Sequence, residues 1–256
     1  MSFFKKALAS IGIGGVKVDT ILENSSLVVG EDVRGRVEIT GGNIHQDIDA
    51  IHLTLYSYYV EEINDKKVTN KAVQNRIKLT DAISIRAGEK QTIPFTLHVP
   101  LTTPLTFGRK LVWVHTSLDV KNAIDPTDND YMEVSPNELM DEIFSSVQNL
   151  GFRLRQVEVE RAPSFLRNRT LFVQEFEFVP TSGEFARKLD ELEVIILPNS
   201  SSSVEVILEV DRKARGLMGS FLEALDMDES IVRLTISESD RGQVEQMLRN
   251  VIRKYI

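Results

Sequence analysis

The stretch Val33-Arg34-Gly35-Arg36-Val37-Glu38-Ile39 sets apolar and polar residues on alternate positions, the two-residue period of a strand with one face in a core. On its amino side, Val16, Val18, Thr20 and Leu22 alternate in the same way, and Leu27-Val28-Val29 meets a Gly30-Glu31-Asp32 turn. On its carboxyl side, Ile51, Leu53 and Leu55 line one strand face, with Tyr56, Tyr58 and Tyr59 read as its continuation. Ile77, Leu79, Ile83 and Ile85 add two short runs. Ile93, Phe95, Leu97 and Val99 alternate until Pro100, and a further strand leads from Leu111 through Trp113 to Val120. Residues 16–134 therefore hold about seven to nine strands, the number a β-sandwich uses.

Ser135-Pro136-Asn137-Glu138 breaks this pattern with the signature of a helix start: Ser135 as cap, proline at the first position and glutamate at the third. Leu139, Met140, Ile143, Phe144, Val147 and Leu150 recur at helical spacing, and Gly151 stands where a left-handed cap belongs. The expected division is an N-terminal domain over 1–134, a connecting helix over 135–151 and a C-terminal domain over 152–256. In the last, Gln156 to Glu160, Leu171 to Val179, Leu192 to Leu197, Val204 to Val210 and Ile231 to Ile236 read as strands, fewer and shorter than those of the first. Leu217, Met218, Phe221, Leu222 and Leu225 suggest a short helix, and Asp240 with Gln243 suggests the capped start of a C-terminal helix carrying Val244, Leu248 and Ile252. The fold class expected is mainly β: two β-sandwich domains, a connecting helix and a C-terminal helix.

With 256 residues, 42% hydrophobic and 27% charged, the chain has enough apolar material for two cores and is not of disordered composition. It contains no cysteine, which rules out disulfides, thiolate metal sites and cysteine nucleophiles and fits a reducing cytoplasm. The opening reads as no signal peptide, and no apolar run approaches the roughly 20 residues of a membrane span. The net charge of −8 repels a phosphate backbone, so nucleic acid is not expected as a partner. Residues 1–135 carry 15 basic and 17 acidic side chains, and the remainder 15 and 21, so the excess lies in the second part.

Catalytic signatures are missing. His45, His52, His98 and His115 show no zinc-ligand spacing. Gly12-Ile13-Gly14-Gly15 follows no strand and opens no long helix, so it lacks the context of a phosphate loop. The sequence has neither GxxxxGK[ST] nor GxSxG. No cofactor and no metal is expected. Two segments carry chemistry worth locating. Asp119, Asp125, Asp128 and Asp130 gather four carboxylates in twelve residues. Calcium on Asp125, Asp128 and Asp130 is one reading, opposed by the missing glycine and glutamate of an EF-hand loop. A polar turn is a second, and carboxylates paired with arginine across a domain interface a third. An enzyme using this cluster with His115 ranks below all of them. Phe3, Phe4, Lys5 and Lys6 suit either packing on the first domain, which is preferred, or peripheral contact with a membrane surface.

Val29 to Val37, Ile93 to Pro100 and the run from Trp113 into Leu118-Asp119-Val120-Lys121-Asn122-Ala123-Ile124-Asp125 resemble, in order and spacing, the amino-terminal domain of arrestin-like proteins. FFKKALASIGIGG, LENSSLVVGEDVRGRVEITGGN and SPNELMDEIFSSVQNLGFRLRQVEVE resemble the sporulation-control proteins of Bacillus-type bacteria over nearly the whole chain. That resemblance implies an arrestin-like pair of sandwiches and a cytoplasmic, non-enzymatic regulator or adaptor that modulates the initiation of sporulation by binding other proteins. It implies no catalytic residue. It also suggests that Asp125, Asp128 and Asp130 belong to a charged core between domains, with Arg36, Arg153 and Arg155 as candidate partners. The shorter second part and the Leu217 to Leu225 segment depart from the larger arrestins.

Overall fold

The computed structural model describes residues 14–212 and 229–255. They fall into two compact units: residues up to Tyr58 together with Lys71–Ser135, and Tyr59–Asn70 together with residues from Pro136 onward.

Unit 1 is built from two sheets. In one, β1 (Lys17–Leu22), β3 (Asp32–Thr40) and β7 (Lys90–His98) pair antiparallel with β3 in the middle. In the other, β4 (Gln46–Ile63) pairs with β8 (Val112–Val120), β8 with β9 (Thr127–Ser135), and β9 runs parallel to β2 (Ser26–Val28). Strands β5 (Lys66–Thr80) and β6 (Ile83–Ile85) also pair with β4. Alternation puts Val33, Val37, Ile39 and Leu97 on the inner face of the first sheet and Leu53, Leu55, Val112, Val114, Leu118 and Met132 on that of the second, all buried. Among the described residues nine strands thus precede the first helix, as the periodicity predicts.

Three details differ from the expectation. Tyr56 and Tyr58 do not continue the face of Leu53 and Leu55; the two-residue period sends them to the opposite side, where they flank Trp113 with ring centroids 5.4 and 4.4 Å away. The polar residues 66–76 are strand. Asn64 and Asp65, at φ 51° and 59°, form a two-residue turn with both central residues left-handed, which suits the twist of a hairpin and closes β4 onto β5. Third, the acidic run is not all turn: β9 begins at Thr127, and only residues 121–126 connect it to β8.

Unit 2 rests on an antiparallel meander of β10 (Phe152–Arg161), β11 (Phe172–Pro180), β12 (Leu189–Ser200), β13 (Ser203–Arg212) and β14 (Glu229–Ser237). These strands have 9 to 12 residues, longer than their apolar runs suggest. Val60, in the part of β4 that belongs to this unit, pairs parallel with Glu160. One sheet face carries Phe176, Phe178, Leu192, Val194, Val206, Leu208 and Ile236, all buried. Helix α1 (Glu138–Asn149) lies against it, with Phe144 and Phe176 at 4.7 Å between ring centroids. The helix therefore belongs to the core of unit 2. Helix α2 (Val244–Ile252) packs beside α1 through a face that buries Val244, Leu248 and Ile252.

Both helix starts are displaced from their predicted caps. Ser135 is the last residue of β9, held by its pairing with Val28 and by the Val29 N–H that its carbonyl accepts. Asn137 caps α1 instead, its Oδ1 accepting the Met140 N–H at 3.0 Å. Asp240 closes a capping box on Ser237 in a 3-10 turn, and α2 begins after Gln243. Gly151 is left-handed at φ 95°, and a Cβ there would lie 2.3 Å from the Ser182 carbonyl oxygen, so the glycine is required both by conformation and by close approach. The helix expected at Leu217 to Leu225 lies outside the described residues.

Candidate functional site

The four aspartates of the sequence cluster all lie in unit 1, but they do not form one group. Asp119 is exposed on β8. Asp125 Oδ1 accepts the Val120 N–H at 2.8 Å and so folds its own turn. Asp128 and Asp130 sit on the inward-facing side of β9, opposite Thr116 and Val114 of β8. Asp128 is a structural tie: Oδ2 accepts the backbone N–H of Thr20 on β1 at 2.7 Å, and Oδ1 accepts the Asn129 N–H at 2.9 Å. Beside it, the buried hydroxyls of Thr20 and Thr116 are 2.6 Å apart. One carboxylate and one hydroxyl pair therefore pin β1 to the second sheet. Asp130 is half-buried, with Oδ2 enclosed and without a hydrogen-bond partner. Burial, then the charges of Asp128 and Asp19, push its carboxyl up to about 6.

Replacing Asp128 with alanine leaves the Thr20 N–H enclosed without its acceptor, which should cost unit 1 about 1–3 kcal/mol. Urea unfolding followed through Trp113, the single tryptophan, reads this directly. Asp128→Asn keeps an acceptor and should recover most of the loss, whereas an unchanged midpoint in Asp128→Ala would remove the tie from the account.

Register also decides the histidine pairing. His115 is opposite Asn129, whose Oδ1 lies 2.8 Å from its Nδ1. Asp128 and Asp130, at neighbouring positions of the same strand, point to the other face, so His115 cannot work as a dyad with either. Asp119 shares the His115 face but is four residues along the strand, about 13 Å away. Of the arginines considered as partners, Arg36 pairs with Glu38 in unit 1, and Arg155 pairs with Glu177 and Glu191 in unit 2. Phe3, Phe4, Lys5 and Lys6 lie outside the described residues.

The denser acidic arrangement is in unit 2, on the sheet face turned away from α1. Glu177, Glu193 and Glu209 stand in one register row across β11, β12 and β13, and Glu175 is opposite Glu158 of β10. Like charges on adjacent strands oppose pairing, and the periphery compensates. Lys67 reaches Glu158 and Glu160 at 3.3 and 3.4 Å, Arg155 holds Glu177 and Glu191, and Arg169 and Arg233 hold Glu205. The middle of the row meets this penalty by keeping a proton. Burial, the charges of Glu175 and Glu209, a hydrogen bond with Glu175 and the charge of Glu191 together push Glu193 up to about 8. The sequence does carry a signal for this row, in the repeated alternation of Glu175-Phe176-Glu177-Phe178, Glu191-Leu192-Glu193-Val194 and Glu209-Val210-Asp211. Strand register is what turns three ordinary amphipathic strands into one acidic face.

Fold and sites together define a mainly β protein of two units, whose polar clusters tie strands together or present carboxylates on a sheet face. Among the described residues no group of three or more histidines and carboxylates is placed to hold a metal, and no helix is long and apolar enough to cross a membrane. The chain belongs to the SpoOM protein family, which it matches over residues 4–214. It is 43% identical over 258 residues to the sporulation-control protein Spo0M of Bacillus subtilis (strain 168), an alignment covering 100% of this chain and 99% of that protein. The crystal structure of Spo0M from Bacillus subtilis matches with a TM-score of 0.84 at 38% identity, covering 95% of this chain and all of that one.

Proposed function

We infer that this chain is a cytoplasmic regulator of sporulation that acts as an adaptor, by binding other proteins and without catalysing a reaction. The observation carrying this reading is the end-to-end likeness to a sporulation-control protein, 43% identical with almost nothing unaligned in either chain. The side-chain chemistry supports it: the aspartates that looked most like a reactive centre serve as a turn bond and a strand tie, and His115 is turned away from Asp128 and Asp130. Binding is also what β-rich domains offer readily, through sheet faces and free strand edges.

Exchange of genes tests the reading. A Bacillus subtilis strain lacking its own Spo0M should recover its wild-type count of heat-resistant spores when this chain is expressed from the native promoter. A count that stays at the deletion level, with the chain present at normal abundance, would overturn the regulatory assignment.

A further inference from the structure

On the acidic face of unit 2, the segment following β10 folds back over the sheet and leaves a cavity of about 160 Å³. Its floor is apolar: Val173, Ile195 and Ile207 are buried in a cluster with Ala162 and Leu166. Its lip is the ring of Phe165, 44% exposed, with the guanidinium of Arg233, the residue opposite Ile207, 5.1 Å from its centre. Its polar wall is Glu175, Glu193 and Glu209, from three adjacent strands, with Glu160 and Arg161 of β10 at its side, where Lys67 pairs with Glu160 and Glu61 with Arg161.

Each property of the cavity narrows its occupant. The volume is well below the roughly 300–1,000 Å³ of sites for drug-sized ligands, so it takes one side chain and no cofactor. Carboxylates exclude an anion, and a purely apolar guest would bury Glu175 and Glu193 further with nothing in return. An alkyl stem ending in a cation satisfies both floor and wall. Carboxylates converging from strands about 4.8 Å apart surround a point and do not form the flat two-oxygen edge that a guanidinium fork prefers, so they suit the compact three-donor ammonium of lysine. The surrounding charge agrees, since the chain from Pro136 onward carries 21 acidic side chains against 15 basic.

We propose that this cavity is a docking pocket for a lysine side chain from a basic segment of a partner protein, the stem on Val173, Ile195 and Ile207 and the ammonium among Glu175, Glu193 and Glu209. The proposal rests on the adaptor reading for its biological meaning. Its test is a peptide titration and not a spore count, so either can fail alone.

The probe is a pentapeptide, capped at both ends, with lysine between glycine and alanine residues; its controls carry Nε-acetyl-lysine or arginine instead. It is titrated into the full chain with isoleucine and valine methyl groups isotopically labelled. Saturable NMR shifts are expected at Val173, Ile195 and Ile207 with the lysine peptide, absent with the acetylated one and at least tenfold weaker in affinity with arginine. Glu193→Gln, which keeps the shape of a side chain already protonated at neutral pH, should fold normally and weaken binding at least tenfold at pH 8.5, where the wild-type carboxyl is ionised. Phe165→Ala, at a partly exposed lip, is the second variant and should do the same. Affinity should rise between pH 6.5 and 8.5, as Glu193 ionises among Glu175 and Glu177 of β11, Glu209 of β13, Glu191 of its own strand and Glu160 and Arg161 of β10, while lysine stays charged. Equal shifts with the acetylated peptide, arginine binding as tightly as lysine, silent methyl groups, or undiminished affinity in folded Glu193→Gln at pH 8.5 would each overturn the proposal.

Discussion

Phe176→Ala is expected to destabilise unit 2 by about 3–5 kcal/mol, the range for removing a fully buried phenylalanine. The ring is 2% exposed, sits at the centre of β11 and meets Phe144 of α1 at 4.7 Å. Truncation therefore removes both the transfer energy of the ring and the aromatic contact that seats the helix on the sheet. The surrounding side chains, Phe178, Val194, Val206 and Leu208, belong to hydrogen-bonded strands and have little freedom to refill the space. Because the chain has two units, one global unfolding energy is poorly defined. Amide hydrogen exchange resolves it: protection in β11, β12 and β13 should fall by a factor on the order of 10² to 10³. Trp113, in unit 1, reports that unit's own transition. A loss below about 1 kcal/mol in unit 2 would mean that α1 is not held by this contact.

Period-2 alternation identified the strands of unit 1 wherever one face is buried and the other wet, as in β3 and β7, because burial imposes the pattern directly. It was silent on Lys66 to Arg76, where the strand is polar on both sides and only the left-handed Asn64-Asp65 pair marks a hairpin. It also put Tyr56 and Tyr58 on the wrong side, since large aromatic residues fit an exposed sheet face as well as a core. The caps failed for a different reason. Ser135 has the right chemistry for a cap, but its backbone was already used by β9, and cap propensity cannot see a tertiary competitor. The candidate site shows the same limit more strongly. Asp119 to Asp130 is dense in sequence yet separates in space into an exposed carboxylate, a turn bond and an inward-facing pair. Glu175 and Glu209 are 34 positions apart yet both meet Glu193, because strand register sets Glu209 directly opposite it and Glu175 on the diagonal. Proximity along the chain was legible; proximity across a sheet was not.

That convergence sets the pH dependence of stability. Glu193 holds its proton up to about 8, against an ordinary value of 4.5. Below the ordinary value the folded and unfolded chains are both protonated at this position, and the stabilisation is fully present. Between about 4.5 and 8 the unfolded chain releases the proton while the folded one keeps it, so stability falls as pH rises, by at most about 1.4 kcal/mol for each pH unit per proton. Above about 8 the loss is complete, because the folded chain must then carry the charge beside Glu175 and Glu209. Asp130, raised to about 6, acts with the same sign over a narrower window. Carboxylates shifted downward, such as Asp47 by its bond from Ser84 and Glu184 by Arg253, lose their contribution only on acidification below the ordinary range, and so leave the interval above it to the raised carboxyls Glu193, Asp130 and Glu160, the last raised by burial and by Glu158. Urea unfolding of the wild-type chain, followed through amide NMR signals of β11, β12 and β13, should therefore show unit 2 most stable near pH 5, falling by about 2 kcal/mol toward pH 8 once screening by solvent at a partly exposed sheet face is allowed for. Glu193→Gln removes the proton from the balance: its profile should be flatter over that interval, and the variant should overtake the wild type above pH 8. Asp130→Asn should change only the profile of unit 1, followed through Trp113, and only near and below 6. A wild-type profile that rises from pH 5 to 8, or one that Glu193→Gln leaves unchanged, would show that the glutamate row is ionised in the folded protein and that its mutual repulsion is carried by the peripheral lysine and arginine pairs instead.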